Sequence, residues 1–105
     1  MEIKRKVWSQ WEVVQIGKFL GFENFDRRAI HYWTEQGVMS PAVAKAEGVL
    51  ALYDTDKLIA GFIGIGKRMR VSKMVQDEDI KWAMEQTLKL NKSRDLGKLI
   101  EALRG

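Results

Sequence analysis

Between Arg28 and Pro41 the chain reads Arg-Ala-Ile-His-Tyr-Trp-Thr-Glu-Gln-Gly-Val-Met-Ser-Pro, a short amphipathic run closed by a glycine and then by the single proline of the chain. No other stretch restricts the fold as much. Glycine readily adopts the left-handed conformation that ends a helix, and proline lacks the donor a continuing helix needs. The segment is therefore a helix that must stop at Gly37. It is expected to start at Asn24 or Asp26, both good N-caps, with Phe25, Ala29, Tyr32 and Trp33 as an inward stripe at helical spacing.

A second helix is signalled just upstream, from Ser9 to Gly21. Ser9 and Glu12 have the S-x-x-E spacing of a capping box, with Trp8 and Val13 placed as a hydrophobic staple. Val13, Ile16, Gly17 and Leu20 fall on one face. Gly17 lies in the middle of that face, at a propensity cost of about 1 kcal/mol relative to alanine. Such a residue implies that another helix crosses very close. Two short helices with a tight connection form the skeleton of a helix-turn-helix, a unit that sets one helix into the major groove of DNA.

Beyond Pro41, residues 42–48 are small and read as a flexible tip, and Val49–Tyr53 reads as a strand, so a strand pair or wing is expected here. Asp54 or Thr55 can cap a third helix carrying Leu58, Ile59, Phe62, Ile63 and Met69. A fourth follows Gln76-Asp77-Glu78-Asp79, and a short fifth carries Leu96, Leu99, Ile100 and Leu103. The expected fold class is mostly α, with a short β wing and additional C-terminal helices. Residues 1–71 would form the winged unit, and 72–105 would complete the core and pair two subunits.

At 105 residues, with 46% apolar and 30% charged positions, the chain suits one globular domain. The apolar run Leu58–Gly66 is about half a membrane span and no basic-then-apolar leader opens the chain, so no membrane association is expected. There is no cysteine, which excludes disulfides and thiolate metal sites and fits a cytoplasmic setting. Net charge is +4. Residues 42–75 hold six Lys/Arg against three Asp/Glu, while the segments on either side are nearly balanced. Small basic clusters stand at Lys4-Arg5-Lys6, Arg27-Arg28 and Lys67-Arg68-Met69-Arg70, compatible with a polyanionic partner.

With the elements placed, Ile16-Gly17-Lys18-Phe19-Leu20-Gly21, Ile30-His31-Tyr32-Trp33-Thr34-Glu35-Gln36-Gly37-Val38-Met39-Ser40-Pro41 and Gly48-Val49-Leu50-Ala51-Leu52-Tyr53 resemble three successive blocks of one family pattern. They are similar to the DNA-binding domain of MerR-type transcription regulators, a winged helix-turn-helix. The resemblance covers the first two-thirds of the chain, and its best-matched positions are architectural. It departs where the family's second-helix arginine falls on His31 and its wing arginine on Ala51. The turn between the first two helices is also about three residues longer than the family's. Family members often dimerise through a long C-terminal helix; this chain is expected to end in a short one, with no evident small-molecule effector module.

The resemblance implies double-stranded DNA as partner, with Lys18, Arg27, Arg28, His31, Tyr32 and Lys45 as contacts. Arg27 and Arg28 occupy the first turn of the second helix, where arginine opposes the helix dipole, so an outside anion accounts for them better than helix stability does. His31 reads either as a phosphate contact or as a partly buried packing residue, and a lone histidine makes a poor metal site. Tyr32 and Trp33 read chiefly as core. Lys45 is a wing-tip cation, and Lys4-Arg5-Lys6 either a basic arm or a frayed terminus.

Two other classes stay open. A winged-helix interaction module would account for the missing arginines. Val49–Tyr53 and Leu58–Ile65 could instead pair as the hairpin of a small acetyltransferase. Gly61-Phe62-Ile63-Gly64-Ile65-Gly66-Lys67 matches most of a phosphate-loop pattern, but Arg68 stands where a Ser or Thr should bind magnesium. No catalytic residue, cofactor or metal ligand is assigned.

Overall fold

The computed structural model describes residues 3–46, 50–69 and 75–104; side chains 44–46, 50, 93–102 and 104 lie outside the described set. The elements run β1 (Val7–Ser9), α1 (Gln10–Phe19), α2 (Arg27–Glu35), β2 (Ala44–Ala46), β3 (Leu50–Asp54), α3 (Thr55–Arg68) and α4 (Asp77–Arg104). The three strands form an antiparallel sheet in the order β1-β3-β2, in which Trp8 pairs with Tyr53 and Lys45 with Ala51. The protein is thus mostly helical, with a small sheet.

The local signals act where expected. The Ser9 side chain accepts from the Glu12 backbone while Glu12 accepts from Ser9 N, closing the capping box. Of the two candidate caps for α2, Asp26 serves, accepting from Ala29 N at 3.1 Å, while Asn24 adopts φ 56° in the preceding turn. Gly37 ends the helix at φ 75°, and Asp54 caps α3 through Lys57 N.

Several expectations are corrected. The gap at Gly17 is filled by no helix axis but by the Phe25 ring; a methyl here would come within 2.6 Å of Phe25 Cε1. Phe25 is held in turn by Phe22 and Phe62, with ring centroids 5.9 and 5.5 Å away. The third helix, by contrast, stands as expected, since Leu58–Ile65 and Gly61–Lys67 both lie inside α3, which leaves no strand for the hairpin alternative and no loop for the phosphate-binding one. The α3 glycines answer to packing. A Cβ at Gly64 would lie 2.9 Å from Val38, and one at Gly66 would lie 3.0 Å from Val75. The fourth and fifth helices are one continuous 28-residue helix. Residues 44–46, read as part of a flexible tip, form β2 and pair with β3; 47–49 lie outside the described residues.

Strand β1 was not foreseen, and it anchors the core. Trp8 is fully buried, and its indole donates to Thr55 Oγ1 at 2.8 Å while Thr55 donates to Arg5 O at 2.6 Å. It shares one buried core with Val13, Ile16, Phe62, Ile65, Ile80 and Met84, drawn from α1, α3 and α4. The C-terminal helix is accordingly part of the same core as the first two-thirds of the chain.

Candidate functional site

Helix α2 is anchored by one deeply buried residue. Ile30 is 1% exposed, with Ala29 and Trp33 half-buried beside it. Everything else charged on α2 faces outward. Arg27, Arg28, His31 and Glu35 are exposed, and so is Tyr32, which meets Trp33 edge-on at 4.9 Å. Two expectations are therefore corrected: Tyr32 belongs to the surface rather than to the inward stripe, and His31 is no packing residue. The stripe's true anchor is Ile30. An i, i+4 count started from Phe25 misses it because Phe25 precedes the helix.

Between α2 and the sheet lies a cleft of about 540 Å³. Its apolar lining comes from Ile30, Pro41, Ala42 and Ala51, and Tyr53 lines it as well. Arg27, Arg28 and His31 border it on the α2 side, and Gln10, the first residue of α1, lines it too. Burial pushes the Tyr53 hydroxyl above its ordinary pKa, partly countered by a hydrogen bond from the Gln10 side chain. His31 and Ala51 both border this cleft.

The two arginines beside it are weakly partnered. Arg28 Nε lies 3.8 Å from Asp26, with 95% of its side chain exposed, and Arg27 has no ion-pair partner among the described residues. His31 Nε2 sits 3.1 Å from Glu35 one turn on. An exposed pair of this kind contributes about 0–1 kcal/mol to stability, so the fold does not depend on these charges.

The remaining expected contacts are dispersed. Lys18 is exposed in the last turn of α1, at the opposite end from Gln10, and does not line the cleft. There its charge favours the helix terminus. Lys45 occupies β2 opposite Ala51, and its side chain lies outside the described residues. Arg70, from the third basic cluster, is also outside them.

The N-terminal basic cluster has a structural role that the sequence concealed. Arg5 grips the buried Glu12 carboxylate with both terminal nitrogens, at 2.6 and 2.8 Å, and its guanidinium lies 4.9 Å from the Trp8 ring centroid. Asn91 of α4 donates to the same carboxylate at 2.6 Å. Glu12 thereby ties the N-terminal segment, α1 and α4 together. Its S-x-x-E position was visible in the sequence; its distant partners were not.

Compared with known protein families, curated proteins and solved structures, the chain matches none. Among the described residues no group of acidic or histidine side chains could hold a metal ion, and no helix is long and apolar enough to cross a membrane.

Proposed function

We propose that this protein is a sequence-specific double-stranded DNA-binding regulator of the winged helix-turn-helix type. In this reading α2 enters the major groove and the β2–β3 hairpin lies over the flanking backbone. The observation that carries it is the cleft between α2 and the sheet, bordered by Arg27, which has no ion-pair partner among the described residues, and by Arg28, whose one contact to Asp26 is 3.8 Å long. Cations that the fold does not neutralise are available to phosphates, whose condensed counterions they release. The loss of the family's arginines at His31 and Ala51 is offset by the two arginines at the front of α2.

Helix α4 supports a homodimer. Its 28 residues extend about 42 Å, and Leu103 near its end is 79% exposed. Two copies would present two α2 helices to a pseudo-palindromic site. A sedimentation mass of one chain at micromolar concentration would contradict the dimer.

A second reading rests on another surface. Phe19 and Trp82 meet edge-on at 6.2 Å and are 37% and 47% exposed, a patch that suits a protein partner. Duplex binding at several salt concentrations separates the two, comparing wild type with Arg27→Ala/Arg28→Ala. With four to six phosphate contacts per chain, the logarithm of affinity falls against the logarithm of salt with a slope of about −4 to −5. The double variant should bind weakly with a shallower slope. Absence of salt-dependent binding to any duplex would overturn the DNA reading in favour of the interaction module.

A further inference from the structure

Each residue of α2 turns the helix by about 100°. Arg28, Glu35 and His31 therefore lie within roughly 60° of one another, on the side opposite buried Ile30 and half-buried Trp33. They form the outermost ridge. Arg27 falls about 100° round from Arg28 and about 60° from buried Ile30, on the flank it shares with Thr34, whereas Arg28, which also borders the cleft, lies about 160° from Ile30. The two adjacent arginines thus occupy different sectors of one helix.

The chemistry of the ridge differs from that of the flank. The ridge carries a carboxylate, Glu35, hydrogen-bond distance from His31 at 3.1 Å. A carboxylate is repelled by phosphates, yet at a base edge it accepts from the cytosine amino group. Arginine on the same ridge matches the paired acceptors of guanine. The flank offers Arg27 beside the apolar lining of the cleft, and the Thr34 hydroxyl is already donating to Ile30 O at 2.7 Å. That flank can hold a phosphate through its cation but has little with which to read a base.

We propose that α2 divides the work of recognition, with Arg28 and Glu35 selecting a G·C-containing site and Arg27 seating a backbone phosphate at the cleft. The division rests on the DNA-binding reading above. Phosphate contacts fix position and salt dependence, while base contacts fix sequence, so the two arginines leave different signatures when removed. Arg27→Ala weakens binding to all duplexes alike and makes the salt slope shallower by about one. Arg28→Ala relaxes discrimination at one base pair by about ten- to a hundredfold. Glu35→Ala lowers discrimination while raising affinity for unrelated duplexes, because a charge that repels the backbone is gone.

The test starts by selecting wild-type sites from a pool of randomised duplexes. Affinities of wild type, Arg27→Ala, Arg28→Ala and Glu35→Ala are then measured for the selected duplex, its single-base variants and an unrelated duplex at several salt concentrations. The predicted result is a G·C-containing selected site, uniform loss for Arg27→Ala, and loss confined to particular base pairs for the other two. If Arg28→Ala loses affinity uniformly, or Glu35→Ala leaves discrimination intact, the division is overturned while DNA binding stands. Wild type that binds no duplex defeats the underlying reading itself. Circular dichroism and melting of each variant separate lost binding from lost folding.

Discussion

Two basic regions of this chain look alike in sequence and behave oppositely in the fold. Arg5 spends its charge inside the molecule, bidentate on a carboxylate that is itself 4% exposed and tied onward to Asn91. Arg27 and Arg28 border an open cleft, with a single long contact to Asp26 between them. The difference teaches that a cation's availability depends on whether the fold supplies its anion, which local clustering does not reveal. A buried carboxylate must be paired. An arginine at the front of a helix, against the dipole and with at most one long, exposed contact, is available to serve something outside.

Breaking the first region should have the largest effect. Glu12→Ala removes the capping box together with the anchor for Arg5 and Asn91, and should destabilise by about 3–5 kcal/mol in chemical denaturation. A loss below about 1 kcal/mol would mean that the clamp is incidental. Gly17→Ala comes next. The added methyl drives into the Phe25 ring, and overpacking of this kind costs about 1–3 kcal/mol, more than the roughly 1 kcal/mol gained in helix propensity. Unchanged or raised stability would show that Phe25 can move aside.

Tyr53 sharpens the comparison from the cleft side. Its folded-state pKa is raised, chiefly by burial, so the native state keeps the proton after the unfolded chain has lost it. The associated stability is fully present below pH 10, the ordinary tyrosine value, and is lost as pH rises from there through the higher folded value. Tyr53→Phe should flatten that alkaline loss in a series of melts. An identical alkaline profile for the variant would mean that another group titrates. The smallest effect on stability is expected from Arg27→Ala and Arg28→Ala, each within about 0.5 kcal/mol of wild type because neither supports the fold. A larger loss would move these residues into the same class as Arg5.

What could be read beforehand follows physical range. The capping box at Ser9–Glu12, the stop at Gly37 and the Asp54 cap are decided within a few residues, and all three stand in the structure. Strand β1 escaped because Val7–Ser9 has no periodicity of its own; its partner β3 lies more than forty residues on. The continuity of α4 escaped because residues 91–95, Asn-Lys-Ser-Arg-Asp, contain helix-neutral polar types that read as a break. For the site, Arg27, Arg28 and His31 were named from the sequence and do share one cleft. Gln10 and Tyr53 were not, since only the fold brings the start of α1 and the end of β3 alongside α2.

The most direct test of the contrast follows backbone amide signals by nuclear magnetic resonance while a duplex is added. The account predicts that signals of residues 27–35 and 42–46 shift and that the shifts reverse as salt is raised. Those of Arg5, Glu12 and Asn91 should stay where they are. No change on saturation with duplex, or changes confined to the patch around Phe19 and Trp82, would contradict it and place the partner surface on the α1–α4 side.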